Sequence, residues 1–338
     1  MEKKDYQQLK DILSSPKKIV IVPHINPDGD AMGSCLGLYH YLKKLGHKTT
    51  VVSPNDYPEF LKWLPSDNQV MRYESDTDKS NRVINEADII FTLDFNSLNR
   101  IGQMQTALEN SKSLFVLIDH HQQPGDYAKF TYSDVSMSST SEMVYHFISN
   151  LDDLDKLDKD IATCLYTGIM TDTGSFRFPS CTALTHKVVA HLIECGADNA
   201  LIHNNIYDTN SYDKLQLLGC ALNNLKVLPE YRTAYITLSS EELEKHNFKK
   251  GDTEGFVNYG LSIKGVVMAA IFIENIHEGI VKISLRSQGT FSVNEFSRAH
   301  FEGGGHINAA GGKSDLPLNA TVEKFISILP HYKNALNK

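Results

Sequence analysis

The chain has 338 residues, of which 41% are hydrophobic and 22% charged, and its formal net charge at pH 7 is -8. Single hydrophobic cores seldom grow beyond roughly 250 residues, so two domains are expected. The acidic balance disfavours long DNA or RNA, which binds through many Lys and Arg contacts to phosphate. It leaves open a short phosphorylated ligand, because bound divalent cations can supply positive charge locally.

The sequence also indicates a compartment. It has no apolar stretch of about eighteen residues that could cross a membrane, and residues 1–15 lack the apolar centre of a signal peptide. The five cysteines are scattered and form no CxxC pair, which argues against a disulfide framework and against a zinc-thiolate site. We therefore expect a cytoplasmic protein with no membrane partner, and a homodimer is left open.

The first predicted elements form a strand, helix, strand unit. Lys18 to Pro23 is a short run rich in Ile and Val, as in a buried strand. Helical spacing follows from Met32 to Leu45 and stops before Gly46, and Thr49 to Val52 predicts the next strand. This order of elements is typical of a parallel sheet.

Two further predicted strands each end at an aspartate. Asp88 to Leu93 is followed by Asp94, and Leu114 to Ile118 is followed by Asp119. Open parallel sheets bind ligands beyond the carboxyl ends of their strands. We therefore expect these carboxylates to lie near the loop that leaves the first strand.

The rest of the chain predicts helices and then a second domain, so the fold class is α/β. A capping box at Ser139 to Glu142 predicts a helix start. We predict an N-terminal parallel-sheet domain over residues 1–190, a helical connector over 191–228 and a smaller α/β domain over 229–338. The predicted strands of this last domain are Thr233 to Leu238, Ile263 to Glu274 and Ile280 to Ser287, the last two joined by a hairpin.

The loop after the first strand, HINPDGD, carries the first candidate metal ligands. His24, Asp28 and Asp30 supply an imidazole and two carboxylates that can face one pocket, with Pro27 and Gly29 setting the turn. One metal could take His24 and Asp28 while its neighbour takes Asp30. An Asp-rich turn beside a surface histidine is the alternative.

The second group is Asp119-His120-His121, at the end of a strongly apolar strand. One histidine can bind a metal while its neighbour meets the substrate, and the aspartate can orient an imidazole. Structural histidines at a strand end are the alternative.

The third group is Asp94 and Asp172, each at the end of an apolar segment. A carboxylate there is costly unless it is paired or bound to a metal, and for Asp172 an N-cap role is the alternative. The candidate ligands offer nitrogen and oxygen but no thiolate, which suits manganese, magnesium or a similar ion better than a structural zinc. They are His24, Asp28, Asp30, Asp94, His120 and Asp172.

The fourth group is the glycine-rich stretch GGGHINAAGG, residues 303–312. Glycines let backbone N–H groups approach an anion closely. His306 and Asn308 lie within the stretch, and Arg286 lies on the polar face of a predicted strand. The combination favours a phosphate or base site over a glycine-rich turn without a ligand.

These motifs occur in the order seen in DHH-family phosphoesterases with a DHH-associated C-terminal domain: HINPDGDA, the strand end at Asp94, DHH, GIMTDTGSF and GGGHINAAG. The chain resembles this family over nearly its whole length, and within it the bacterial nano-RNases and pAp phosphatases. The resemblance implies two manganese ions, with magnesium or cobalt as substitutes, bridged by Asp94. His24 and Asp28 would complete one metal site. Asp30, His120 and Asp172 would complete the other.

The same resemblance implies roles outside the metal sites. His121 would act in catalysis or contact the phosphate, with Asp119 beside it, and Arg286 would stabilise the charge on the phosphoryl oxygens. The second domain would hold the substrate and close over the metals. The implied substrate contacts are Arg100, Arg286, Gly303, Gly304, Gly305, His306 and Asn308.

The function implied by the resemblance is metal-dependent hydrolysis of short oligoribonucleotides to mononucleotides, of pAp to AMP, or both, by water activated between two metals. The partner would be a small nucleotide or short oligonucleotide. Cleavage of cyclic or linear dinucleotides such as c-di-AMP and pApA uses the same chemistry, and pyrophosphate or polyphosphate cleavage is a further alternative. A nucleotide-binding sensor without turnover is the alternative outside the enzymes.

Overall fold

The computed structural model describes residues 1–276 and 278–337 and confirms the predicted α/β class. The chain divides into two compact units, Met1–Thr209 and Asn210–Lys338. Each unit contains one six-stranded sheet. No helix within the described ranges is long and apolar enough to span a membrane.

The sheet of the first unit is parallel throughout. Its strands are β1 (Lys18–Val22), β2 (Lys48–Ser53), β3 (Met71–Arg72), β4 (Ile89–Leu93), β5 (Leu114–Asp119) and β6 (Phe130–Ser133). In space they follow the order β3-β2-β1-β4-β5-β6. The order changes direction between β1 and β4, and this is the place where open α/β sheets form a crevice at the carboxyl ends of the strands.

Helices cover both faces of this parallel sheet. They are α1 (Lys3–Leu13), α2 (Gly29–Lys44), α3 (Thr77–Asn85), α4 (Gln105–Glu109), α5 (Thr140–Asn150), α6 (Lys159–Asp172), α7 (Ala183–Glu194) and α8 (Asn199–Tyr207). Ile19 and Ile21 of β1 pack into the core that contains α2, α5 and α6. Val20 and Val22 pack into a second core with residues of α3 and α4. Burial on both faces explains why these strands are continuous apolar runs.

Helices α2 and α6 pack closely because glycines lie at their contact. A Cβ atom added to Gly33 would lie 2.6 Å from the carbonyl oxygen of Cys164 and 2.8 Å from the backbone nitrogen of Gly168. A Cβ on Gly29 would collide with the side chain of Thr171. The start of α2 therefore touches the end of α6, which brings the loop after β1 next to the last residues of α6.

The second unit has a mixed sheet. Its strands are β7 (Lys226–Leu228), β8 (Thr233–Leu238), β9 (Met268–Asn275), β10 (Ile280–Ser287), β11 (Gly304–His306) and β12 (Ala309–Ser314). Its helices are α9 (Tyr212–Asn223), α10 (Ser240–Lys245), α11 (Val257–Leu261), α12 (Val293–His300) and α13 (Leu318–Leu336). The spatial order is β11-β12-β10-β9-β8-β7, and β8 and β9 pair in parallel while the other neighbours are antiparallel.

Most predicted strands of the second unit are confirmed, with two differences. The strand predicted from Ile263 begins at Met268, because a turn with Gly265 at φ 87° precedes it. The glycine-rich stretch is the hairpin β11-β12. A Cβ on Gly303 would collide with the carbonyl oxygen of Gly311, so packing within the hairpin already requires glycine there.

Candidate metal centre

The first group of candidate ligands lies between β1 and α2. His24 is buried, and its Nδ1 lies 2.8 Å from the carbonyl oxygen of Ile25. In the neutral ring Nδ1 therefore carries the proton and donates it, which leaves the lone pair on Nε2. Nε2 lies 3.5 Å from Oδ2 of Asp94 and 3.9 Å from Oδ2 of Asp28. The other oxygen of Asp28 accepts two backbone N–H groups and caps α2.

Asp94 lies between two groups of ligands. Its Oδ2 faces His24, and its Oδ1 lies 3.5 Å from Nε2 of His120. The residue has a φ of 65°, a left-handed conformation that costs a non-glycine residue about 1–3 kcal/mol. Such strain persists where the surrounding structure holds it and is concentrated at functional sites.

The second group consists of Asp30, His120 and Asp172. One ligand atom from each lies within 4.8 Å of those of the other two. Nε2 of His120 is 3.5 Å from Oδ2 of Asp172 and 3.8 Å from Oδ2 of Asp30. Asp172 is the last residue of α6, so the alternative that it caps the start of a following helix does not apply.

Asp119 and His121 form a pair beside these groups. Asp119 is fully buried, and its Oδ1 accepts a hydrogen bond from Nδ1 of His121 at 2.7 Å. Its Oδ2 has no hydrogen-bond partner among the residues that the structure describes. The bond fixes the imidazole so that Nε2, on the opposite side of the ring, faces away from Asp119.

The carboxylates gather without lysine or arginine. Within Met1–Thr209, histidines are the only basic side chains that form ion pairs with Asp28, Asp30, Asp94, Asp119 and Asp172. Burial, reinforced by the charges of Asp94 and Asp172, raises the pKa of Asp30 well above its usual range. Burial raises the pKa of Asp172 to about 6, with Asp28 and Asp94 adding to the shift and His120 opposing it.

The pKa values of the histidines are raised as well, although burial acts on them in the opposite direction. Burial alone would lower the pKa of His24, but Asp94 and Asp28 outweigh it and raise that pKa to about 9. Nearby aspartates likewise raise the pKa of His120 well above its usual range against the effect of burial. A buried group of like charges that holds protons in this way fits divalent cations, which can replace those protons. The nitrogen and oxygen donors fit manganese or magnesium.

A short segment, residues 137–142, forms hydrogen bonds to several of these candidate ligands. The segment begins before α5 and includes the first residues of that helix. The carbonyl oxygen of Met137 accepts a hydrogen bond from Nδ1 of His120 at 3.3 Å. The backbone N–H groups of Thr140 and Ser141 donate to the carboxylate of Asp30 at 2.6 and 2.8 Å. The hydroxyl of Thr140 donates to the carboxylate of Asp94 at 2.9 Å.

Sequence reasoning missed this support and explained the segment only as a capping box. Ser139 does accept the N–H of Glu142, as predicted. The Glu142 carboxylate does not return to the N-cap and accepts hydrogen bonds from Ser138 and Thr185. The stretch SMSSTS, residues 136–141, is rich in hydroxyl side chains and crosses the start of α5, and this was the available signal.

Arg286 and His306 lie in one row of the second unit's sheet. His306 of β11 pairs with Ala309 of β12, and Ala309 pairs with Arg286 of β10. The two basic residues therefore lie directly across β12 from each other. Both are half-buried. The guanidinium of Arg286 donates to the carbonyl of Leu285 at 3.0 Å.

The predicted substrate residues of the hairpin have different structural settings. The amide of Asn308 donates to Oγ of Ser287 and to the carbonyl of Gly289, which holds the turn. Gly305 has a φ of 149°, which only glycine adopts readily. At Gly304 a Cβ would meet nothing closer than 3.6 Å and the φ is not left-handed. Neither packing nor backbone conformation requires glycine at 304.

Arg100 is exposed on a short 3-10 segment, Leu98–Met104. Its carbonyl oxygen accepts the N–H of Ile25 at 2.8 Å. This hydrogen bond ties the segment to the loop that carries His24.

The chain matches known protein families in both units. The DHH family, N-terminal domain, matches residues 18–169, and the DHHA1 domain matches residues 231–335. The probable bifunctional oligoribonuclease and PAP phosphatase NrnA of Streptococcus mutans is 31% identical over 88% of this chain and 89% of its own length. The bifunctional oligoribonuclease and PAP phosphatase NrnA of Thermus thermophilus is 30% identical over 91% of this chain and 88% of its own.

Further relatives extend this picture. The crystal structure of an exopolyphosphatase-related protein from Bacteroides fragilis is 38% identical, covers 100% of this chain and 98% of its own, and superposes with a TM-score of 0.96. The cyclic-di-AMP phosphodiesterase GdpP of Bacillus subtilis is 25% identical over 96% of this chain but 49% of its own length. The chain therefore belongs to the DHH family, as a phosphoesterase with an N-terminal DHH domain and a C-terminal DHHA1 domain.

Proposed function

We propose that this phosphoesterase uses two divalent cations to hydrolyse short oligoribonucleotides to mononucleotides and pAp to AMP. Manganese is the proposed ion, with magnesium or cobalt as substitutes. The observation that carries the proposal is the position of Asp94, whose two carboxylate oxygens face two separate groups of candidate ligands. The relatives named as bifunctional oligoribonuclease and PAP phosphatase support the substrate class.

The proposed ligands follow the two groups. His24 and Asp28 would hold one ion, and Asp94 would contribute to both sites. Asp30, His120 and Asp172 would hold the second ion. Two such ions would supply Lewis-acid chemistry at the phosphate and would lower the pKa of a bound water molecule.

His121 is the proposed proton donor to the leaving oxygen or a hydrogen-bond donor to a nonbridging phosphate oxygen. The 2.7 Å hydrogen bond to Asp119 supports this role, because it keeps the ring in one orientation. Asp119 acts through His121, and its burial keeps water from competing for that hydrogen bond.

Residues of the second unit are proposed to bind the rest of the substrate. Arg286 stabilises the charge on the phosphoryl oxygens, and His306, in the same row of the sheet, contacts the same ligand. Gly304 has no side chain although neither packing nor backbone conformation requires glycine there, which supports the proposal that a phosphate or base approaches the backbone of the hairpin at this residue. The remaining proposed contacts are Gly303, Gly305 and Asn308 of the second unit and Arg100 of the first.

A second candidate is hydrolysis of cyclic or linear dinucleotides. The similarity to GdpP of Bacillus subtilis favours it. The reaction breaks the same kind of phosphoester bond, so the ligands that we propose serve both activities. The two candidates differ in the length and shape of the nucleotide.

The test compares pAp, pApA, c-di-AMP, a short RNA and pyrophosphate, each with manganese and with chelator. Release of AMP or mononucleotides from pAp and short RNA, lost with chelator, is the expected result. Preferential cleavage of c-di-AMP or pApA would favour the second candidate, and cleavage of pyrophosphate alone would reassign the substrate. Nucleotide binding without turnover under every condition would overturn the enzyme assignment in favour of a sensor.

A further inference from the structure

Residues 137–142, here called the support segment, contact three of the proposed metal ligands. Five hydrogen bonds join the segment to Asp30, Asp94 and His120. Ser138 to Glu142 are all buried, so water does not compete with these bonds. The segment therefore fixes ligands that come from three different parts of the chain.

Thr140 makes two of these hydrogen bonds. Its backbone N–H donates to Oδ2 of Asp30 at 2.6 Å, and its hydroxyl donates to Oδ1 of Asp94 at 2.9 Å. That oxygen of Asp94 is also the one that faces His120. The hydroxyl thus sets the rotation of the carboxylate that lies between the two groups of ligands.

The support segment is itself held on both sides. The carboxylate of Glu142 is buried and accepts hydrogen bonds from Ser138, within the segment, and from Thr185 at 3.1 Å, on α7. Gly168 of α6 leaves the space that Ser141 fills, because a Cβ there would collide with Oγ of Ser141. Thr140 therefore stands on rigid backbone, as a residue that orients another must.

We propose that Thr140 is a positioning residue of the metal centre, whose hydroxyl holds Asp94 in the orientation that serves both ions. The inference rests on the proposed function, which supplies the ions. Groups that hydrogen-bond to a metal ligand typically change metal affinity 10- to 100-fold when they are removed, because the ligand loses its fixed orientation.

The test measures manganese binding to the metal-free full-length protein, by calorimetry and by the electron paramagnetic resonance signal of a coupled manganese pair. Thr140→Val removes the hydroxyl but keeps the branched shape and the backbone N–H. Thr140→Ser keeps the hydroxyl. Thr167→Val is the matched control, since the hydroxyl of this buried threonine donates to the carbonyl of Thr163 within α6.

We expect Thr140→Val to bind manganese about 10- to 100-fold more weakly and to lose the pair signal, while Thr140→Ser and Thr167→Val stay within about threefold of the wild type. If Thr140→Val does not fold, Thr140→Ala carries the same expectation. Wild-type affinity and pair signal in a variant without the hydroxyl would overturn the inference but not the proposed function. A wild-type protein that binds no manganese would overturn both.

Discussion

Asp94 lies between the two groups of proposed ligands, and its replacement is the most direct test at the residue scale. Asp94→Ala removes both oxygens that face His24 and His120. We expect manganese-dependent turnover of pAp to be abolished, because neither ion keeps its full set of ligands. Asp126→Ala, at an exposed carboxylate, is the control and should keep wild-type activity. An active Asp94→Ala protein would refute the two-metal proposal.

Replacement of Asp119 has a different expected effect, because Asp119 is proposed to act through its hydrogen bond to His121. Asp119→Asn keeps the size and an acceptor for Nδ1 of His121 but removes the negative charge. We expect kcat to fall about 10- to 100-fold while KM and manganese affinity change little. Steady-state kinetics and a metal titration separate these quantities. A loss of manganese binding in place of kcat would mean that Asp119 is itself a ligand.

The raised pKa of His24 predicts that metal binding releases protons. With a pKa of about 9, the ring is protonated at pH 7.5 in the metal-free protein, whereas a metal binds the neutral ring. Manganese affinity should therefore rise with pH from 7 towards 9 and then level off. Calorimetry in buffers of different ionisation enthalpy measures the protons released. A binding enthalpy independent of the buffer would contradict the prediction.

The same pKa shift affects the stability of the metal-free protein. A histidine whose pKa is raised from 6.5 to about 9 stabilises the folded state fully below pH 6.5 and loses this contribution as the pH rises through 9. Asp172, with a pKa raised to about 6, likewise favours the folded state at low pH and loses that contribution as the pH rises through 6. Both groups make the metal-free site less stable at alkaline pH.

At the scale of the elements, the contact between α2 and α6 depends on glycine. Gly33→Ala would force a methyl group to within 2.6 Å of a carbonyl oxygen of α6. We expect overpacking to lower the free energy of unfolding by about 1–3 kcal/mol. Gly219→Ala is the matched control, because a Cβ there meets nothing within 4 Å inside α9 and should stabilise that helix by about 0.5–1 kcal/mol. Calorimetric unfolding of both variants tests the opposite signs.

The same elements show what the sequence could predict. Buried parallel strands are apolar on both faces, so β1, β4 and β5 were visible as runs of Ile, Val, Leu and Phe. Each strand end then located a polar residue of the candidate site, namely His24, Asp94 or Asp119. The apolar runs were sufficient here because each run is a local feature of the sequence.

Other features could not be predicted because tertiary contacts decide them. The left-handed φ of Asp94 depends on the surrounding structure and has no sequence signature. The predicted helix start at Ser139 to Glu142 is confirmed, but only the fold shows that the hydroxyl of Thr140 donates to Asp94, a residue 46 positions earlier. The two-residue strand β3 is too short for any periodic pattern.

At the scale of the whole molecule, the net charge of -8 predicts a limit on substrate length. Each phosphate of a long RNA that contacts the protein needs a neutralising partner, and the acidic balance offers few beyond bound cations. We expect kcat/KM to be highest for RNAs of about two to five nucleotides and at least about tenfold lower for a strand of about 24. The slope of log KM against log salt should stay below about 2, since few phosphates are engaged. Equal kcat/KM values for both lengths, together with a steep dependence of KM on salt, would contradict this prediction. They would require a continuous row of basic side chains that binds the RNA, which an acidic chain of this composition does not favour.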